Sequence, residues 1–166
     1  MKKQATRSAQ YTLVGQFDFT FADWVVDSAD GSKKTLGSSV AASVDPAEVL
    51  LTGPVANTIT FDGLLIPNGA VITGGEVLVE TAYAGSTAAT LSVGIAGSLT
   101  ALANAVDLKT AGRTALTLSN TSQLIANGGA NLRLTLAYTV ANATAGKVRV
   151  RVSYTIDGRA QEAVTN

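Results

Sequence analysis

Two groups of carboxylates are the first candidates for chemistry in this sequence. Glu76 and Glu80 belong to the alternating segment EVLVETAY, so both side chains project from the same face of a predicted strand. Four residues at about 3.3 Å each place their Cα atoms roughly 13 Å apart. The two carboxylates alone therefore cannot share a proton or a metal ion. The segment Asp27–Gly31 lacks the alternating ligands of an EF-hand loop, and its Asp-Gly sequence predicts a turn.

The residues needed for common catalytic mechanisms are missing. The chain has no Cys and no His, which removes thiolate nucleophiles, the usual general base and the commonest transition-metal ligand. A Ser nucleophile would need a Lys or carboxylate base, and no Gly-x-Ser-x-Gly elbow occurs. The segment Ala141–Val148 is similar to a phosphate-binding loop at first sight, but Val148 stands where Ser or Thr would hold magnesium. We expect no enzymatic activity and no cofactor.

Composition favours a single domain that is used in an assembly. A chain of 166 residues makes one ordinary domain and buries roughly 70% of its unfolded surface. Lys and Arg number 12, as do Asp and Glu, whereas a nucleic-acid binder normally carries a basic excess. Charged residues are only 14% of the chain, and a surface poor in charge is tolerated best when partners cover it. The sequence contains no run of about 18 apolar residues, so no membrane-spanning helix is expected. Met1–Lys3 is not followed by the apolar core that a secretion signal requires.

The elements that must position any site begin with an aromatic strand. Phe17, Phe19 and Phe21 alternate with polar residues, so their rings fall on one face of the strand. Trp24 is the single Trp of the chain and follows closely. We predict that these four aromatic residues form a core cluster, with an interface or a ligand platform as the alternative.

The C-terminal region has the clearest alternation. Leu132–Val140 and Val148–Ile156 each place apolar residues at every second position, and a short Asn- and Gly-bearing loop, Asn142–Gly146, joins them. This pattern predicts a β-hairpin. Its polar face is either a solvated surface or a basic strip that meets an acidic partner, and the cations assigned to it are Lys147, Arg149, Arg151 and Arg133.

Helical signals are few. Asp45–Glu48 has the Asp cap, the Pro and the Glu of a helix start, and Thr52–Pro54 ends it within a turn or two. Leu99–Gly112 is the best helical candidate, because Leu102 and Val106 have helical spacing; a loop with one helical turn is the alternative. Further strands are predicted by alternation at Val55–Asp62, Glu76–Tyr83, Thr90–Ile95 and Arg113–Ser119.

Together these elements predict an all-β domain, an antiparallel β-sandwich or jelly roll with at most one or two short helices, over residues 11–166. Residues Met1–Gln10 are polar, without periodicity, and carry Lys2, Lys3 and Arg7. They predict either a frayed terminus or an extended arm that orders on a neighbouring molecule.

One stretch of the sequence resembles a known family. The segment Ile66–Gly75 (IPNGAVITGG), the strand EVLVETAY after it, the strand ATLSVGI and the later segment Ala105–Gly112 (AVDLKTAG) are similar to small structural proteins of tailed-phage virions. The similarity spans roughly residues 55–112. In those proteins a Pro-x-Gly-Ala-Val turn leads into a strand, and a Thr-Leu-x-Val-Gly strand follows a short polar loop.

The resemblance implies a head decoration (cement) protein. Such proteins dock in many copies on the capsid surface, commonly as trimers, and bridge neighbouring capsid subunits against internal DNA pressure without catalysis. The implied partner is the major capsid protein of the same particle, and the implied location is the virion surface after assembly in the host cytoplasm. No specific nucleic acid and no membrane is expected as a partner. The candidate partner-binding residues are Lys2, Lys3, Arg7, Arg149 and Arg151.

Two other functions stay open at this point. A tail component, such as a tube subunit or the base of a head or tail fibre, would have the same all-β pattern. A carbohydrate-binding β-sandwich is the candidate from a different class. Aromatic residues, on which sugars stack, are only 5% of the chain, and four of the nine lie in Phe17–Trp24.

Overall fold

The computed structural model describes residues 11–38, 42–43, 58–118, 124–125, 129–139 and 142–156. Within these ranges every regular element is a β-strand, so the prediction of an all-β fold is confirmed. No helix in the same ranges could cross a membrane. The predicted arm Met1–Gln10 and the predicted short helix at Asp45–Glu48 lie outside the described residues. The strands are β1 (Leu13–Thr20), β2 (Trp24–Val26), β3 (Lys33–Thr35), β4 (Ala42–Ser43), β5 (Thr58–Ile66), β6 (Ala70–Ala84), β7 (Ala88–Ile95), β8 (Ser98–Asp107), β9 (Gly112–Ala115), β10 (Ala130–Thr139) and β11 (Ala145–Ile156).

Two large sheets form a β-sandwich. A four-stranded sheet has the order β1-β11-β6-β9, and a five-stranded sheet has the order β4-β5-β10-β7-β8. Their strand pairs are antiparallel except β4 with β5, which is parallel. The sheets pack face to face, because Phe19 of β1 meets Phe61 of β5 with ring centroids 5.3 Å apart. Tyr83 of β6 stacks on Tyr138 of β10 at 6.0 Å. A third, two-stranded sheet pairs β2 with β3.

Alternation along the strands builds the core between the sheets. Every second residue of a strand points to the same side, and the side that meets the opposite sheet is apolar. β10 and β11 show this most plainly, as the sequence predicts, and their buried residues are Leu132, Leu134, Leu136, Tyr138, Val148, Val150 and Val152. The hydroxyl of Tyr138 is also buried and donates a hydrogen bond to the carbonyl of Leu36.

The predicted hairpin of β10 and β11 is wrong, although both strands are present. β10 pairs with β5 and β7, whereas β11 pairs with β1 and β6 in the other sheet. β10 and β11 thus lie in different layers, and the amides just before β11 bond outside a hairpin. Ala143 N–H donates to Gly37 O (2.7 Å), and Thr144 N–H donates to Ala84 O (2.9 Å). Two strands with one apolar face each bury that face equally well side by side or across a sandwich, so alternation does not identify neighbours.

The predicted helix at Leu99–Gly112 is also wrong, because these residues are mainly β8. Leu102 and Val106 are four residues apart and both buried, but this spacing does not distinguish a helix from a strand, because a period of two also returns to one face after four residues. Three steps along β8 match two steps along β7 at this point. Ala105, with a φ of 50°, lies in the extra step. Such a bulge resets which side chains point inward, so Ala103 and Val106, three residues apart, are both buried opposite core residues of β7.

The aromatic strand is confirmed in part. Phe19 is buried, and Phe17 and Phe21 pack against the core. Trp24 is not a core residue, since 53% of it is exposed. The chain turns at Phe21–Ala22, and Trp24 then starts the separate β2–β3 hairpin, where only Val25 of the three β2 residues packs inward.

Candidate functional site

A network of eight polar and charged side chains covers the outer face of the four-stranded sheet. The antiparallel register sets it up: Asp18 lies opposite Arg149 on the neighbouring strand, and Arg151 lies opposite Glu76 on the next. Because residues in opposite positions share a face, strands of complementary charge place cations beside carboxylates. The members of this ionic network are Gln16, Asp18, Glu76, Glu80, Arg113, Lys147, Arg149 and Arg151.

Arg149 is the centre of one half of the ionic network. Its Nε donates to Asp18 Oδ1 at 2.8 Å, and its Nη2 lies 2.9 Å from Glu80 Oε1. Glu80 is shared, because its Oε2 lies 2.7 Å from Lys147 Nζ. One guanidinium therefore joins β1, β11 and β6 across the sheet.

Glu76 is the centre of the other half. Its carboxylate lies 3.2 Å from Arg113 Nη1 and 3.7 Å from Arg151 Nη1. The two halves meet at Gln16, whose Oε1 accepts from Arg151 Nε at 3.1 Å and whose Nε2 donates to Asp18 at 3.2 Å. The ionic network thus spans all four strands of the sheet, from β1 to β9.

These contacts change the electrostatics of the predicted basic strip. The hydrogen bond from Arg149 lowers the pKa of Asp18 below its ordinary value of 3.8, and the same bond raises the pKa of Arg149. Both groups therefore stay charged at neutral pH. Four cations and three carboxylates make up the charges of the ionic network, a net charge of +1. Because its cations and carboxylates nearly cancel, the outer face of the four-stranded sheet is not strongly basic.

The predicted site residues are therefore divided. Arg149 and Arg151 lie side by side on one outer face, as the alternation predicts, and each already has an intramolecular acceptor. The predicted cations of the arm, Lys2, Lys3 and Arg7, lie outside the described residues.

Arg133 does not belong to this surface, which corrects the sequence prediction. It is on β10 of the five-stranded sheet, and its side chain is only 10% exposed because it pairs with Asp62 of β5. Asp62 also accepts a hydrogen bond from Asn131 at 3.2 Å. The assignment failed because it followed from the predicted hairpin, which would have placed β10 beside β11.

The outer face of the five-stranded sheet is poor in charge. Side chains there alternate with the core residues of β5, β7 and β10, and Thr60 and Thr135 are cross-strand partners with their hydroxyl oxygens 3.3 Å apart. This charge-poor face carries one ion pair, Arg133 with Asp62. Its other residues are small, namely Thr58, Thr60, Thr90, Ser92, Gly94, Thr135 and Ala137. The two outer faces of the sandwich thus differ in kind.

The remaining carboxylates hold turns. Gly31 N–H donates to Asp27 O, and Asp27 N–H donates to Ser32 O, both at 2.9 Å, which confirms the predicted turn. Asp27 and Asp30 also accept backbone hydrogen bonds with their side chains. Over the described ranges, no group of three or more His, Cys, Asp or Glu residues is placed to hold a metal ion.

The exposed Trp24 is the candidate interaction residue that the sequence reasoning missed. Its ring stands outside the two large sheets, with Lys33 Nζ 3.9 Å from the ring centroid. The signal that could have found it is local. The segment WVV lies between Asp23 and the turn at Asp27–Gly31. Three residues are too few to continue β1, but they are enough for one strand of a separate hairpin.

Comparison with solved structures identifies a similar fold. No protein-family model matches the chain, and no curated protein matches it significantly. Among solved structures, the chain is similar to a chain of the cyanophage Pam1 capsid asymmetric unit, with a TM-score of 0.56 and 20% sequence identity. The match covers 94% of this chain and 92% of that chain, so the two folds correspond almost from end to end.

Proposed function

We propose that this chain is a non-enzymatic structural protein of a tailed-phage virion, a decoration protein that binds the outer surface of the head. The observation that carries the proposal is the end-to-end fold similarity to a chain of a phage capsid asymmetric unit. The resemblance of residues 55–112 to virion proteins points in the same direction and rests on the residues alone.

A decoration protein must be rigid, and the sandwich offers rigidity without a ligand. Its core is a single buried cluster from both sheets, and the ionic network links the strands of the four-stranded sheet. In this proposal many copies bridge neighbouring capsid subunits and thereby resist pressure from packaged DNA. The chain acts through shape and contact, and the carboxylates discussed above serve turns and ion pairs.

We further propose that the copies associate as trimers through the charge-poor face. Burying small Thr, Ser, Ala and Gly side chains costs less desolvation than burying ion pairs. Interface cores are depleted of charged residues for the same reason. The arm residues Lys2, Lys3 and Arg7 are proposed as additional capsid contacts. Arg149 and Arg151 can join them only by exchanging intramolecular acceptors for acceptors on the partner.

Counting copies on purified particles tests the proposal. A decoration protein should be present in numbers comparable with the capsid subunits, spread over the head in electron micrographs. Particles from a genome lacking the gene should lose DNA at a lower temperature than wild-type particles. A handful of copies per particle, or density confined to the tail, would replace decoration with a tail or fibre-base function. Absence from the particle would refute a virion role.

A further inference from the structure

The β2–β3 hairpin presents an exposed face of unusual composition. Trp24 and Val26 alternate on one side of β2 and are 53% and 46% exposed. Lys33 lies opposite Val26 in the register and reaches back so that its Nζ is 3.9 Å from the centre of the Trp24 ring. These three residues, called here the hairpin face, combine an apolar surface with one cation.

The carboxylates near the hairpin face are already engaged elsewhere. Asp23 accepts hydrogen bonds from the amide and the hydroxyl of Thr20, at 2.7 and 3.1 Å. Asp30 accepts from a turn amide and lies 3.8 Å from Lys34, the neighbour of Lys33 on the opposite side of the strand. Lys33 takes part in no ion pair among the described residues, and its ammonium group is held by the Trp ring. The ammonium of Lys33 is therefore the one charge on the hairpin face itself, while Asp23, Asp27 and Asp30 keep their negative charges in the same segment.

We propose that the hairpin face docks on a protein surface that presents a carboxylate beside an apolar depression. Trp is enriched among residues that dominate interface affinity, because it buries a large rigid area. The stacked Lys33 supplies the charge that selects an acidic partner. Both side chains are held in place before contact, which lowers the entropy lost on binding. This inference rests on the proposed function, in which the partner is the capsid surface.

A glycan is the competing occupant, since sugars also stack on Trp. The observed arrangement favours protein, because the ammonium of Lys33 already lies over the ring that a sugar would need. The branched side chain of Val26 beside it adds apolar area without hydrogen-bonding groups. An acidic, partly apolar surface satisfies all three residues together, whereas a sugar satisfies the ring only after Lys33 leaves.

The test uses capsids purified from a genome that lacks the gene, titrated with the purified chain in a co-sedimentation assay. Trp24→Ala should bind at least roughly 30-fold more weakly than wild type, the loss typical of a dominant interface residue. Lys33→Glu should also weaken binding, and more so at low salt because exposed charges are screened as salt rises. Lys33→Ala should weaken binding while Lys34→Ala, on the opposite side of the strand, does not. Val14→Ala serves as the apolar control, because Val14 is 63% exposed on the same face of β1 as Gln16 and Asp18.

The outcomes separate the two proposals. If the wild-type chain fails to bind capsids, the proposed function fails. If it binds and Trp24→Ala binds equally well, the docking inference is overturned while the function survives. Loss with Trp24→Ala but none with Lys33→Glu would overturn the acidic partner. Binding of wild type to an array of free glycans, abolished by Trp24→Ala, would overturn the protein partner. Circular dichroism and urea unfolding confirm that each variant is folded before it is scored.

Discussion

Tyr138 and Tyr83 form a matched pair whose hydroxyl groups should contribute unequally to stability. The rings stack across the sandwich with centroids 6.0 Å apart, and both residues are buried, which raises the pKa of each phenol. The Tyr138 hydroxyl donates to the carbonyl of Leu36. The Tyr83 hydroxyl is buried without a hydrogen-bond partner among the described residues. Removing one oxygen from each ring therefore tests the value of that single bond.

The expected magnitude follows from what each substitution leaves behind. Tyr138→Phe removes the donor and strands the carbonyl of Leu36, itself a buried residue, and an unsatisfied buried acceptor costs about 1–3 kcal/mol. Tyr83→Phe removes a group that already has no partner, so the change should lie within about 0.5 kcal/mol of zero or favour the folded state. Both variants keep the ring and its packing. The difference between them isolates the hydrogen bond.

The bond also anchors the hairpin to the core. Leu36 follows β3, its N–H donates to Asp23 O at 2.6 Å, and the next amide, Gly37 N–H, donates to Phe21 O at 2.7 Å. Loss of the Tyr138 bond should therefore speed hydrogen exchange at Leu36 and Gly37 more than at the centre of β11. Urea unfolding followed by circular dichroism gives the free energies. Equal stabilities for the two Phe variants, or unchanged exchange at Leu36, would refute the reasoning.

Three further predictions address the sheets and the exposed Trp. Gly94→Ala should destabilise the fold by about 1–3 kcal/mol, because the added Cβ would lie 2.1 Å from a carbonyl oxygen of β8. The control Gly74→Ala places its Cβ in open space and should change stability by less than about 0.5 kcal/mol. Equal losses of stability for the two variants in urea titrations would contradict the close packing at Gly94. Asp18→Asn removes a carboxylate whose pKa Arg149 lowers. The stability advantage of wild type over this variant should be complete above pH 3.8 and fade as the pH falls through the folded pKa, and urea titrations showing a difference independent of pH would exclude the ion pair as its source. Fluorescence of Trp24, the single Trp, should show exposed emission and ready acrylamide quenching in the free protein; blue-shifted, protected emission would place the ring in an interface or core.

The sequence predicts which residues face inward far better than which strands are neighbours. Alternation identified the buried sides of β10 and β11 because burial of one face imposes a period of two. It could not assign the two strands to different sheets, since hydrogen bonding between strands involves the backbone and leaves no period in the side chains. The helix predicted at Leu99–Gly112 failed for a related reason. The spacing of Leu102 and Val106 by four residues fits a helix and a strand equally, and the bulge near Ala105 depends on a partner strand that the sequence does not reveal.

For the candidate site as well, the sequence predicts which residues share a face but not which residues of other strands lie beside them. Arg149 and Arg151 were placed correctly on one outer face, because two residues on one strand share a face whatever the topology. Their acceptors were missed because Asp18 lies 131 positions before Arg149, and only the order β1-β11-β6 brings those charges together. Trp24 was assigned to the core by its closeness in sequence to Phe17–Phe21, whereas a turn after Phe21 carries it outside.

In the proposed decoration role, the placement of charge indicates how the molecule should sit on a particle. The seven charged groups of the ionic network already pair with one another. Burying them in an interface would require desolvating all seven, and a partner would add few new ion pairs in return. The charge-poor face has only one ion pair to desolvate, Arg133 with Asp62, and the hairpin face has an apolar area with one available cation. We therefore expect the ionic network to face solvent and the other two surfaces to be covered. Footprinting of assembled particles should protect Trp24 and leave Arg149 and Arg151 reactive; protection of the two arginines with an accessible Trp24 would reverse this orientation and restore the basic strip as the docking surface.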